Sequence, residues 1–230
     1  MNPFPFSLMN FRSRLFLTAG LLLAPLAQAG VIMVSDTLSS GNAISDAPGP
    51  GLARVLNVPV TGALITDISV DLNIGSYVGD TAWNGDLYAQ LTGPSGSLSV
   101  LINRTGVSLP DDAGYGDAGF HVTLNDSATD DIHTYQSVSY SLNGAGQLTG
   151  TWQSDGRADP TAPDRSKSLS QFIGQNPNGN WTLLVSDLAN GNRAQLNSWS
   201  ISITTVPEPA TTSALSGLAL LGFAFWLKRK

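Results

Sequence analysis

Aspartate is the residue type in this chain with the clearest capacity for chemistry. The central segment, residues 30–205, holds sixteen aspartates, no glutamate and only six basic residues, a balance of −10 within a chain of net charge −6. Aspartate oxygens suit Ca²⁺, although aspartate also recurs in turns because its side chain hydrogen-bonds to nearby backbone. Such an acidic surface repels phosphate backbones, so the composition argues against a nucleic-acid partner.

The residues needed for catalysis are present, but no catalytic motif is. Cysteine is absent, and the only histidines are His121 and His133. No Gly-x-Ser-x-Gly, HExxH or phosphate-binding glycine loop occurs. The phase of the surrounding apolar residues predicts that His121 faces solvent, and His133 is expected at a strand edge. The sequence therefore predicts a protein that is not an enzyme.

Aromatic residues in loop-like segments offer a different chemistry, stacking on sugar rings. Trp83, Tyr115 and Trp152 lie in such segments, and Trp83 and Trp152 are the two residues we expect to bind a ligand of this kind. The alternative is that the same rings cover the ends of the folded domain.

These residues must be positioned by strands, because apolar and polar residues alternate along several segments. Gly/Asn/Pro-rich turns separate the segments, and the only helical candidate is a turn near Ser168 to Ile173. The pattern predicts an all-β, jelly-roll-like antiparallel β-sandwich. The apolar faces lie at 68–74, 87–91, 120–124, 138–142 (Val138, Tyr140 and Leu142), 181–185 and 199–203.

The N-terminus carries a targeting pattern. Arg12 and Arg14 precede an apolar run at 15–26, and the small-x-small site Ala27-Gln28-Ala29 follows. This order predicts a secretory signal peptide over residues 1–29, removed after Ala29. A retained anchor helix is the alternative, but the run is short for a membrane span and Pro25 interrupts it.

The C-terminus carries a second pattern in three parts. Pro207, Glu208 and Pro209 come first, an uncharged stretch at 210–227 follows, and Lys228-Arg229-Lys230 ends the chain. Eighteen uncharged residues barely cross a bilayer core as a helix. The basic triplet is expected on the cytoplasmic side, which leaves the acidic domain outside the inner membrane.

This C-terminal arrangement resembles the PEP-CTERM sorting signal. The resemblance implies that an exosortase, a membrane-embedded cysteine protease, recognises Pro207-Glu208-Pro209, cleaves nearby and releases the protein toward the cell surface or extracellular matrix. An ordinary tail anchor with a coincidental Pro-Glu-Pro is the alternative.

The central segment resembles the P domain of kexin-like proprotein convertases, a jelly-roll module. The similarity covers 64–203 and is carried by NGDLYAQLTGPSGS at 84–97, LSQFIGQNPNGNWTLLVSD at 169–187 and QLNSWSISI at 195–203. Asp86, Asp126 and Asp187 lie in or beside the family-like motifs, so they are the candidate ligands for calcium, the one cofactor we consider.

Together these patterns divide the chain into residues 1–29 (signal peptide), 30–205 (P domain-like sandwich) and 206–230 (sorting signal with transmembrane helix). We expect a non-catalytic protein of the cell surface or extracellular polysaccharide matrix. Its partners would be the Sec translocon, signal peptidase, exosortase, transiently the inner membrane, and exopolysaccharide. The alternatives are a carbohydrate- or protein-binding module, or an accessory domain to a separate protease.

Overall fold

Nine β-strands form the framework of the computed structural model, which describes residues 30–39 and 42–208. Three short 3₁₀ turns interrupt them, at Asn84–Asp86, Ile132–Ser137 and Leu169–Phe172. The third lies where the sequence predicted its only helical turn, Ser168 to Ile173, and the other two were not predicted. The strands are β1 (Gly30–Thr37), β2 (Leu52–Val58), β3 (Ala63–Ser76), β4 (Leu87–Thr92), β5 (Leu98–Asn103), β6 (Gly119–Leu124), β7 (Leu148–Trp152), β8 (Gly179–Asp187) and β9 (Ala194–Pro207).

The strands form two sheets, with orders β1-β9-β3-β6-β7 and β2-β8-β4-β5. All named pairs are antiparallel except β6 and β7, which run parallel. The all-β sandwich predicted from the alternating pattern is confirmed, with this parallel pair as a departure. At the sandwich edge where β1 and β2 lie, the Arg54 guanidinium reaches Asp36 at 2.7 Å and links the two sheets.

The core lies between the sheets and contains the residues that the alternation assigned to buried faces, except those at 138–142. Trp181 on β8 and Trp199 on β9 are each 1% exposed. Phe172, from the third 3₁₀ turn, meets Trp181 edge-on, with ring centroids 4.8 Å apart. Large aromatic side chains buried at this depth contribute much of the apolar area that stabilises a sandwich.

One expected strand is wrong. Val138, Tyr140 and Leu142 were predicted to share a buried face, yet they are 38–42% exposed and belong to no named strand. This segment lies beside β7, the edge strand, and meets it through an isolated bridge between Leu142 and Leu148 and hydrogen bonds from Thr149 to the Ser141 carbonyl. Their alternation matches that of a strand, but no second sheet covers them.

Strand β9 continues to Pro207, two residues past the predicted domain end at 205. The predicted signal peptide with its cleavage site after Ala29, Pro209, the transmembrane helix and the basic tail lie outside the described residues. Among the residues that are described, no helix is long and apolar enough to cross a membrane.

Candidate functional sites

Asp86 and Asp187 come together at one end of the four-stranded sheet. Asp86 ends the first 3₁₀ turn, directly before β4, and Asp187 is the last residue of β8. Leu87 pairs with Asp187 across the two strands, and the amide of Leu188 donates to the Asp86 carbonyl at 2.8 Å. The two candidate calcium ligands are therefore neighbours because β4 and β8 are hydrogen-bonded to each other.

The Asp187 carboxyl is buried without a full set of partners. It is 2% exposed, its Oδ1 accepts from the Ala189 amide at 3.3 Å, and its Oδ2 has no hydrogen-bond partner among the described residues. Burial, reinforced by the charges of Asp86, Asp46 and Asp80, raises the pKa of Asp187 to about 7. At neutral pH this carboxyl therefore binds a proton, or a nearby cation, more readily than an ordinary aspartate does.

Asp126, the third candidate calcium ligand, lies elsewhere. It follows β6, and its carboxylate accepts from the Ser154 hydroxyl at 2.6 Å and the Ser170 amide at 2.7 Å. Within residues 30–39 and 42–208, no three acidic, histidine or cysteine side chains are grouped closely enough to hold a metal ion. A cation at Asp86 and Asp187 would thus depend on two carboxylates and on backbone oxygens.

The two tryptophans expected to bind a ligand are placed differently from each other. Trp83 is half-buried, and its Nε1–H donates to the Ala113 carbonyl at 2.9 Å. Trp152 is only 5% exposed and ends β7 with its ring in the core, so it is not an open stacking surface. Beside it, Tyr140 is 38% exposed and is the aromatic ring that reaches solvent there.

A buried charged network around His133 was missed by sequence reasoning, which placed His133 at a strand edge. The residue lies in the second 3₁₀ turn and is 5% exposed. Its Nδ1 is 2.8 Å from Asp155 Oδ2 and its Nε2 is 3.0 Å from the Val107 carbonyl. Both ring nitrogens face acceptors, so the doubly protonated ring satisfies the site. Burial opposes the charge, but the hydrogen bond with Asp155 raises the pKa of His133 overall.

Neither histidine is arranged as a hydrolytic base. His133 has both nitrogens engaged, and His121 lies exposed on β6, as expected from its phase. In the described part of the chain, no serine hydroxyl hydrogen-bonds to either ring. The geometry therefore does not offer a Ser–His pair.

The sorting motif begins where the sandwich ends. Pro207 is the last residue of β9 and pairs with Ala63 on β3. The Glu208 amide donates to the Gly62 carbonyl at 2.9 Å, and its carboxylate accepts from Asn176 at 3.1 Å. The first two residues of the motif are thus held against the folded domain, with no linker between.

Comparison with protein families decides what this sandwich is. The family model for the proprotein convertase P-domain matches residues 65–203, more than half of the chain. The chain belongs to the proprotein convertase P-domain family. A second family model, the PEP-CTERM protein-sorting motif, matches residues 205–230 of this P-domain protein. Both resemblances noted in the sequence are therefore confirmed, and the sorting motif indicates export with processing at the membrane.

Two solved structures resemble this P-domain protein, and both are of a serine protease of Aeromonas sobria, alone and in complex with its chaperone. Each is 15% identical in sequence, with TM-scores of 0.44 and 0.43 and with 78% and 79% of this chain covered. The chain spans 28% of the length of either protease. No curated protein matches it.

Proposed function

We propose that this P-domain protein is an exported exosortase substrate that acts without catalysis at the cell surface or in the extracellular polysaccharide matrix. The observation that carries the proposal is the sorting motif at 205–230, which follows the sandwich directly at Pro207. Cleavage in or just after Pro207-Glu208-Pro209 would free the sandwich from the membrane without removing any core strand.

The test follows the chain in cells with and without the exosortase. In the parent strain, we expect the intact mass of the extracellular protein to begin near Gly30 and to end close to Pro207-Glu208-Pro209. In the deletion strain, the protein should remain with the inner membrane and keep its basic tail. Released protein that still ends in Lys228-Arg229-Lys230 would contradict the proposal.

Membership of the P-domain family supports a non-catalytic role, because P-domains are modules that stand beside separate protease domains. An accessory role toward a protease encoded elsewhere is the alternative that the family favours. It predicts co-purification with that protease and loss of protease activity when this chain is deleted, whereas a matrix role predicts association with polysaccharide.

We also propose, as a second property, that a divalent cation such as Ca²⁺ binds beside Asp86 and Asp187. The unpartnered Oδ2 of Asp187 favours it, because a buried carboxylate oxygen without a donor is a good ligand for a hard cation. Asp126 takes no part in this site, since its carboxylate is held by Ser154 and Ser170.

A further inference from the structure

The outer face of the five-stranded sheet carries two unbroken rows of polar side chains. The strand registers align one residue from every strand in each row. Across β1, β9, β3, β6 and β7, the first row is Ser35, Ser200, Asp71, Thr123 and Thr151, and the second is Thr37, Ser198, Asn73, His121 and Thr149. We call these ten residues the polar band. Five strands spaced about 4.8 Å apart make it about 19 Å long.

Hydrogen bonds within the polar band hold its centre in place. Asp71 accepts from the Thr123 hydroxyl at 2.6 Å and from the Ser200 hydroxyl at 2.7 Å. Asn73 Oδ1 accepts from Gln147 at 2.9 Å. Because the hydroxyls of Thr123 and Ser200 donate to Asp71, their oxygen lone pairs remain as acceptors toward solvent. Binding at such a surface costs little side-chain ordering.

Two concavities lie along the polar band, one over its first four strands and one at the β7 end. A cavity of about 190 Å³ is lined by band residues from β1, β9, β3 and β6. At the β7 end, a cavity of about 270 Å³ is lined by Thr149 and Thr151 together with Tyr140 and Asp130. Tyr140 packs edge-on against Tyr135, with centroids 5.3 Å apart, so an exposed aromatic ring is held beside the band.

The negative charge of this outer face favours neutral ligands over anionic ones. The band contains one aspartate, no lysine and no arginine, and Asp130 adds a second carboxylate at the β7 end. Such a surface repels polyanions such as uronate polymers and nucleic acids. Hydroxyl, amide and imidazole groups, which donate and accept hydrogen bonds, match the hydroxyl groups of a neutral sugar. A row of polar side chains across five strands fits a straight polysaccharide chain better than a coiled one.

We propose that the polar band binds an extended neutral polysaccharide, laid across the strands, with one sugar ring packed on Tyr140. This deepens the proposed function, because it names the matrix component that the released protein holds. It also replaces the expectation that Trp152 stacks on sugar, since the ring accessible at that place belongs to Tyr140.

The test titrates the exported protein with three neutral β-1,4-linked hexasaccharides, of glucose, mannose and N-acetylglucosamine, followed by calorimetry. We expect binding of at least one of them and none of a mannuronate hexamer. Tyr140→Ala should weaken binding about tenfold, because it removes the ring that packs on a sugar. The double variant Asp71→Ala/His121→Ala should weaken binding by a similar factor, because it removes one or two hydrogen bonds to the sugar.

The matched control is Thr182→Ala on the outer face of the four-stranded sheet, which should bind like the wild type. Thermal melts check that each variant is folded. If the double variant does not fold, Tyr140→Ala alone still tests the proposal. Failure of all three neutral probes, unchanged affinity in both band variants, or binding of the mannuronate hexamer instead would overturn the inference. Failed release in cells with normal sugar binding by the purified protein would refute only the proposed function.

Discussion

At the scale of single residues, Asp187 combines deep burial with an oxygen that nothing satisfies. Its folded-state pKa of about 7 lies above the ordinary value near 3.9. The folded protein therefore binds more protons than the unfolded chain between these values, so this group lowers stability as the pH rises from about 4 to about 7. Above pH 7 the whole penalty is present unless a cation compensates it.

Asp187→Asn keeps the shape of the side chain and removes its charge. Without metal at pH 8, we expect this variant to melt at a higher temperature than the wild type. Millimolar Ca²⁺ should raise the melting temperature of the wild type and leave that of the variant unchanged. Asp126→Asn is the control, because it should keep the wild-type response to Ca²⁺. A variant that melts lower at pH 8 and still responds to Ca²⁺ would refute this account.

His133 differs from Asp187, because its surroundings favour the charged form of the side chain. Both ring nitrogens lie beside hydrogen-bond acceptors. Asp155, Arg157 and the Val107 carbonyl face the ring, and Asp131 pairs with Arg157 at 2.6 Å. Because the folded pKa is raised, the stabilisation is complete below the unfolded value near 6.5 and is lost as the pH rises through the folded value.

His133→Gln should therefore be more harmful in acid than in alkali. We expect a loss of about 2 kcal/mol in the free energy of unfolding at pH 6, the size of a charge-assisted hydrogen bond, and a smaller loss at pH 9. Denaturant titrations at the two pH values measure both. Equal losses at both values would mean that the folded protein holds the neutral ring.

Among the elements, β6 depends on a single glycine where it meets β3. Gly119 has φ of +110°, and a Cβ placed on it would lie 2.1 Å from the Ile74 carbonyl oxygen. Gly119→Ala should thus separate β3 from β6 and lower the free energy of unfolding by at least about 2 kcal/mol. Gly144→Ala is the matched control, because nothing lies within 4 Å of its Cβ position. Equal melting temperatures for the two variants would contradict the expectation.

Alternation of apolar and polar residues located five of the nine strands of the sandwich and misplaced one segment. Alternation identified β3, β4, β6, β8 and β9, because each buries every second residue against the opposite sheet. The same rule failed at 138–142, where the alternating apolar residues lie beside the sheet edge and no sheet of the described residues covers them. The local alternation of a sequence shows which side chains share a face of a strand. Which strands pair, and what packs on the sheet, depends on contacts between residues far apart in sequence.

The candidate sites show the same limit. Family-like motifs located Asp86 and Asp187, which are adjacent in space because β4 pairs with β8. They also suggested Asp126, which the fold places beside Ser154 and Ser170 instead. The polar band was not visible in the sequence, because its ten residues come from five strands and align only through the registers.

For the whole molecule, release at the sorting motif should leave stability untouched. The described core lies within residues 30–208, and β9 ends at Pro207. We expect the protein released by exosortase and the uncleaved chain in detergent to keep the same near-ultraviolet circular dichroism signal. A chain stopped at residue 193 lacks β9 and therefore the core residues Trp199, Ile201 and Ile203. It should be degraded by proteases that leave the released protein and the uncleaved chain intact. Survival of that shortened chain would show that β9 is dispensable.

Strand β9 lies between β1 and β3, with Gly30 of β1 opposite Thr205. The first and last strands of the sandwich are thus nearest neighbours, although they are separated by almost the whole domain in sequence. If the chain crosses the membrane from its N-terminus, we expect the larger sheet to close only after the fourteen residues of β9 have emerged. Until then β1 would lack its only strand partner and β3 would be paired with β6 alone, so the last strand of the sandwich would complete the fold shortly before the sorting signal reaches the bilayer.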